Sequence, residues 1–364
     1  MTGGNKVVAI YAQRLVRSGH VVKLVSPPPK PVSLYQRTRS LLKGRGWPPS
    51  TERQPSQFDD AGLDHTVLDR WRAVSDKDIP DADIVIATWW ETAEWVNALA
   101  SAKGAKAYFI QGHEIFPHLP ADRSRATYRL PLHKIVVSKW LQRLMNSEYL
   151  DHNVDLVPNS VDHAQFFADV RDKQAVPTVG FLYSRATTKG LDVLTAALKL
   201  VRQSVPNLKL VAFGSELPPP SVTFLEEAEF SYRPPQHQIR NIYARCDVWV
   251  TASRSEGFNL TAMEAMACRT PIIATRTGWP DEAVNSGWNG LLIDIDDVDG
   301  LARGIELVLG QTNKSWKTMS ANAFATVVDS SWDASATLFE KALLNAKARA
   351  SRNEIAGGPS SIQA

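Results

Sequence analysis

A chain of 364 residues is long for one domain and sets the expectation of two units of roughly 150 to 200 residues, and an apolar share of 44% marks it as globular rather than disordered. Lys and Arg number 41 against 38 Asp and Glu, which leaves no basic field of the kind that drives nucleic-acid binding and excludes nucleic acid as an expected partner. Cys246 and Cys268, each beside apolar neighbours, argue against a disulfide framework or a zinc site, and with no apolar run of roughly 18 residues and no signal-peptide pattern the expected location is cytoplasmic.

The chain opens on Gly3-Gly4, a helical pattern over 7–16 and a Gly19-His20 turn. Short apolar strands are predicted at 21–25, 84–87, 107–110 and 134–137. Between the first two lies 37–47, basic with interleaved apolar residues, which suits peripheral contact with the inner face of an anionic membrane or a plain loop. Thr88-Trp89-Trp90-Glu91-Thr92-Ala93 follows a strand, so its rings could stack on a sugar or lipid portion of a ligand, or pack in the core. His113 stands just past the strand at 107–110, where ligands gather in open α/β sheets.

A polar stretch ending in proline, 169–177, divides the halves, giving a first domain over 1–170 and a second over 171–330. Strands are predicted at 178–182, 209–213, 248–251, 272–274 and 290–293, then a late helix over 331–350 and a disordered tail over 351–364. The alternation of strands and helices predicts an α/β fold with parallel sheets covered by helices. Arg185 and Lys189 follow the first of these strands, where two cations could neutralise a diphosphate. Asp294-Ile-Asp296 and Asp297-Val-Asp299 look like a metal motif but read as a solvated acidic turn, and no metal or other cofactor is expected.

The densest signal is Ser253-Arg-Ser-Glu256-Gly257-Phe258-Asn259-Leu260-Thr-Ala-Met-Glu264, a turn between a strand and a helix. Gly257 permits close backbone approach, and the amides of Phe258, Asn259 and Leu260 together with the helix dipole favour a diphosphate. Glu256 could then accept sugar hydroxyls, and Glu264, deeper in, a ribose diol. The same pattern also describes an ordinary strand-turn-helix in which Asn259 only caps the helix.

These residues, with Ala265-Met-Ala-Cys-Arg-Thr-Pro271 behind them, resemble the Glu-x7-Glu signature of the retaining glycosyltransferases of family 4. Asn159-Ser-Val-Asp162 with Phe166 is similar to that family's Asn-Gly-Val-Asp segment, with Ser160 in place of the usual glycine. Lys189-Gly190 and Tyr243-Ala-Arg-Cys-Asp247 match two further elements, whereas the family's arginine position after a glycine holds Phe181, which leaves Arg185 as its candidate replacement.

The resemblance implies the GT-B fold, two Rossmann-like domains facing across a cleft, with the late helix returning to the first domain. The family's first strand, central in its sheet, is missing ahead of Gly3-Gly4, so the expected N-terminal domain lacks one ladder partner or draws it from another segment. The implied activity is transfer of a sugar from a nucleotide diphosphate donor to a hydroxyl of a glycan or lipid-linked acceptor, retaining and metal-independent. The implied site is His113, Glu256 and Lys189 at the reacting sugar, with Gly3, Gly4, Arg185, Gly214, Gly257, Phe258, Asn259, Leu260 and Glu264 on the donor. The Trp89–Ala93 run with Gln111 and Glu114 is similar to rhamnosyltransferase-like members that build surface polysaccharide. The alternative is a non-catalytic nucleotide-sugar-binding or partner protein, inactivated by loss of the strand.

Overall fold

The computed structural model describes residues 3–31, 58, 61–116, 119–218 and 228–356; the basic stretch 37–47 and the end of the tail, 357–364, lie outside them. By compactness the chain divides into Met1–Phe109 with Glu114–Ile135 and Ala336–Ala364, and Ile110–His113 with Val136–Ser335. Residues 136–170, expected with the first domain, thus group with the second unit.

The early part of the chain carries α1 (Gly3–Arg17), β1 (Lys23–Ser26), β2 (Asp64–Val67), β3 (Ile84–Ala87), α2 (Trp90–Ala98), β4 (Ala105–Ile110), α3 (Ala121–Thr127), β5 (His133–Val136), α4 (Lys139–Glu148) and β6 (Val154–Leu156). These strands make a parallel pair, β1-β2, and a separate four-stranded sheet in the order β3-β4-β5-β6. Helix α1 buries Val7, Tyr11, Ala12 and Leu15, one stripe at helical spacing, and ends on Arg14 and Arg17, which suit the negative end of its dipole.

The late helix, running Trp332–Ser351, supplies Phe339, which stacks 4.5 Å from Tyr11 and meets Phe109 edge-on at 5.0 Å. Residues after it do not trail away as expected. Ile355 is buried, and Ala356 exchanges backbone hydrogen bonds with Pro131 and Lys106, so the chain is packed at least to 356.

The later part carries β7 (Thr178–Tyr183), α5 (Leu191–Ser204), β8 (Lys209–Gly214), β9 (Ala228–Tyr232), α6 (Gln236–Ala244), β10 (Val248–Thr251), α7 (Leu260–Ala267), β11 (Ile272–Thr275), α8 (Pro280–Ala283), β12 (Gly290–Ile293), α9 (Val298–Leu309) and α10 (Asn313–Val327), ahead of α11, the late helix. Its six strands form one parallel sheet in the order β12-β11-β10-β7-β8-β9, with β7 and β10 at the centre and buried almost throughout. Gly180 lets them close: a Cβ there would lie 2.4 Å from the Cys246 sulfur and 2.6 Å from the Trp249 ring.

The polar stretch before β7 is fastened to this unit rather than loose. Asp247 accepts from the amides of Gln174 and Thr178, each at 2.8 Å, and the Arg171 guanidinium donates to the Cys246 carbonyl and the Thr270 hydroxyl while lying 4.5 Å over the Trp316 ring. No helix among the described residues is long and apolar enough to cross a membrane.

Candidate functional site

The turn from β10 into α7 is held by its own polar side chains. Ser253 donates to the Glu256 carboxylate at 2.7 Å, and the Glu256 amide donates to the Thr277 hydroxyl at 3.0 Å. Lys189, from the short 3-10 turn Thr187–Lys189 after β7, reaches the same Glu256 oxygen at 2.6 Å. Glu256 is mostly buried in this pair and Lys189 about a third exposed, so the bond is charge-assisted and only partly screened. A carboxylate has lone pairs for more than two donors and an ammonium has three N–H groups, so both retain capacity for a ligand.

Arg254 joins the two loops. Its guanidinium forks onto Asp192 at 2.6 and 3.0 Å, donates to the Thr187 carbonyl and to Asp296, and its amide bonds the Thr188 carbonyl. The acidic turn after β12 is used in the same structural way: Asp294 pairs with Arg276, and Asp297 caps α9 through the Gly300 amide.

Asn259 does cap α7. It adopts φ 83° and ψ 69°, a left-handed conformation that Asn tolerates, accepts from the Ala262 amide and donates to Thr251. The amides of Phe258, Asn259 and Leu260 precede that capped position. Phe258 itself is buried, stacked 5.6 Å from Trp279, so its contribution to a ligand is limited to backbone. Glu264, one turn on, is 8% exposed and accepts from the Tyr243 hydroxyl at 2.8 Å. Burial, reinforced by the neighbouring carboxylate, pushes the Tyr243 hydroxyl well above its ordinary range, so it stays protonated and fixes Glu264 as acceptor.

Gly257 is required by the protein itself: a Cβ there would fall 1.7 Å from the Gln111 carbonyl oxygen, and its own carbonyl accepts from Ser138 at 2.7 Å. The close approach expected toward a ligand is thus made to the loop 111–113, which carries His113. His113 is half-buried, with its Nε2 2.7 Å from the Tyr149 hydroxyl. Of the remaining candidates, Arg185 is exposed and faces Glu216 at 3.8 Å. Gly214 ends β8, where a Cβ would press on the Tyr183 carbonyl at 2.7 Å, and its carbonyl accepts from the Arg233 amide. Gly3 and Gly4 begin α1, and Gly3 has open space where a side chain would project.

Glu114, beside His113, is the titratable group that sequence reasoning did not single out for its protonation. It is 4% exposed, accepts from the Trp90 amide at 2.8 Å and from the Tyr108 hydroxyl at 3.4 Å, and anchors the start of α2. Burial pushes its carboxyl up from 4.5 to about 8, against the pull of those two donors. The folded state therefore holds a proton that the unfolded chain releases, so the stability from this group is full below pH 4.5 and is lost as pH rises through about 8. Glu114→Gln is expected to reduce the fall in urea midpoint between pH about 5 and about 9, with the variant gaining on the parent at the alkaline end.

Residues 164–326 match the family model of the glycosyl transferases group 1. The D-inositol 3-phosphate glycosyltransferase of Mycolicibacterium smegmatis is 31% identical over 234 residues, 57% of this chain and 52% of that protein, and the chain spans about half the length of the curated relatives it matches, or less. Among solved structures, sucrose-phosphate synthase from Thermosynechococcus elongatus has a TM-score of 0.70 at 17% identity, covering 95% of this chain and 94% of its own. Anabaena HepE in complex with UDP and glucose has a TM-score of 0.67 at 16% identity, covering 94% of this chain and 96% of its own. At these identities the likeness is one of fold, and the fold is GT-B, as the sequence motifs implied.

Proposed function

We propose that this chain is a retaining, metal-independent glycosyltransferase of family 4 type that moves a sugar from a nucleotide diphosphate donor to a hydroxyl of a glycan or lipid-linked acceptor. The observation that carries the reading is the Lys189 ammonium held 2.6 Å from Glu256 at the turn that feeds α7, with Glu264 fixed behind it by Tyr243. The group 1 family match over 164–326 spans all four of these residues.

In this reading the diphosphate lies at the start of α7, against the amides of Phe258 to Leu260 and the Lys189 ammonium. As the bond from the anomeric carbon to the phosphate oxygen breaks, negative charge grows on the leaving diphosphate, and these groups match it without reorganising. The acceptor oxygen bonds to the same face of the carbon and its proton passes to the departing phosphate oxygen. Glu256 and His113 orient the sugar hydroxyls, and Glu264 takes the ribose diol. UDP and glucose in the Anabaena HepE structure support a nucleoside diphosphate sugar as the donor class. The cytoplasmic face of a membrane, reached through 37–47, and a polysaccharide acceptor of the rhamnosyltransferase-like kind fit this role.

The test is release of nucleoside diphosphate from a panel of UDP-, GDP- and TDP-sugars with candidate acceptors. Release that Lys189→Ala abolishes supports the transferase and names the donor. Donor binding without release across the panel would identify a non-catalytic binding protein instead.

A further inference from the structure

His113 is held from two sides by parts of the second unit, which contains both the loop 110–113 and helix α4. On the backbone side the loop abuts the turn that carries Glu256, since the Gln111 carbonyl and the Gly112 Cα leave Gly257 no room for a side chain. On the ring side stands Tyr149, whose hydroxyl oxygen is 2.7 Å from Nε2 while the two rings meet edge-on at 5.9 Å. Helix α4 spans the two contacts. Ser138, its N-cap, accepts from the Leu141 amide and donates to the Gly257 carbonyl, and Tyr149 is its C-cap.

The helix is fixed along its length, and its end is fixed firmly enough to aim that hydroxyl. The Lys139 amide donates to Glu282 at 3.0 Å and Arg143 pairs with Asp281 at 2.6 Å, which ties α4 to α8. The amides of Tyr149 and Asp151 both donate to the Met145 carbonyl, at 3.2 and 3.1 Å, and the turn between them puts Leu150 at φ 56°, the left-handed region that disfavours a side chain. Leu150 is 76% exposed, so no burial of its own offsets that strain. What the turn secures is the residue before it, Tyr149, which is buried against His113.

Length and acidity decide which group donates. Hydroxyl donors make bonds of about 2.7 to 2.8 Å to oxygen and N–H donors about 2.9 to 3.0 Å, and a phenol, with a pKa of about 10, is a better acid than the N–H of a neutral imidazole. We propose that Tyr149 is a positioning residue for His113: its hydroxyl donates to Nε2 and so holds the neutral ring in the tautomer whose proton is on Nδ1. The consequence rests on the transferase reading given above. His113 then meets an oxygen of the donor sugar as a hydrogen-bond donor, while Glu256 meets its hydroxyls as an acceptor, so the two offer the sugar opposite halves of a hydrogen bond.

The test labels the histidines of the full chain with nitrogen-15 and reads the two ring nitrogens of His113 by long-range proton–nitrogen correlation at about pH 8.5, where an ordinary imidazole is neutral. His113→Gln identifies its signal among the eight histidines. The parent is expected to carry the proton on Nδ1, and Tyr149→Phe, which removes one oxygen and keeps the ring, to move it to Nε2, the nitrogen that free histidine prefers. A parent protonated on Nε2, or a Tyr149→Phe spectrum like the parent's, would overturn the proposal. In nucleoside diphosphate release Tyr149→Phe is expected to lower kcat/KM about tenfold, the low end of what a histidine's loss of its orienting partner costs. Unchanged release with a switched tautomer would overturn the positioning role. No release from the parent with any donor would sink the transferase reading instead, while the switch of tautomer in Tyr149→Phe would still support Tyr149 as the residue that sets the ring.

Discussion

Gly257→Ala should destabilise the second unit by about 3 kcal/mol or more, the upper end of what overpacking costs, because the contact it creates is with backbone. The added Cβ would lie 1.7 Å from the Gln111 carbonyl oxygen, 2.5 Å from its carbon and 2.9 Å from the Gly112 Cα, and none of these atoms can rotate away. Relief requires moving the loop 111–113 or breaking the Ser138 bond to the Gly257 carbonyl. Thermal unfolding followed by circular dichroism checks it against Gly287→Ala, where φ is +86° but the space is open and only the backbone penalty, about 1 kcal/mol, applies. Equal shifts in the two variants would show that the Gln111 contact yields at little cost.

Glu256→Gln and Lys189→Met should each lower kcat/KM for donor turnover by about 100- to 1000-fold, the range for loss of one charge-stabilising group in a preorganised site. The pair shares one bond at 2.6 Å, so the two effects are coupled and the double variant should fall well short of their product. Steady-state diphosphate release for the parent, both singles and the double closes the cycle. Full multiplicativity would mean that the ion pair is structural and that the two residues meet the donor independently, if at all.

Much of the second unit could be read from the chain because its strands are continuous apolar runs between glycine and proline signals, as central parallel strands must be. Val248–Thr251 and Gly290–Ile293 were predicted to the residue. The strands that escaped notice carry no such run: Asp64–Val67 alternates polar residues on a half-exposed pair, Val154–Leu156 has three residues, and Ala228–Tyr232 lies at a sheet edge with mixed burial. The turn motif disclosed Glu256, Asn259 and Glu264, but not what holds them. Thr277 and Ser138 lie in other loops with no spacing relation to the motif, and their role exists only once the fold brings them near. Glu114 was visible as a letter, but its raised protonation comes from burial, which outweighs the hydrogen bonds from Trp90 and Tyr108, and burial is a property of packing.

Arg254 gives this turn a mechanical character. Its fork onto Asp192 and its bonds to Thr187, Thr188 and Asp296 lash three separate connections into one rigid frame before any substrate arrives. The entropy of arranging Lys189 beside Glu256 is therefore lost when the chain folds, not when a ligand enters, so under the proposed function a donor would meet a finished socket and keep more of its contact energy as affinity.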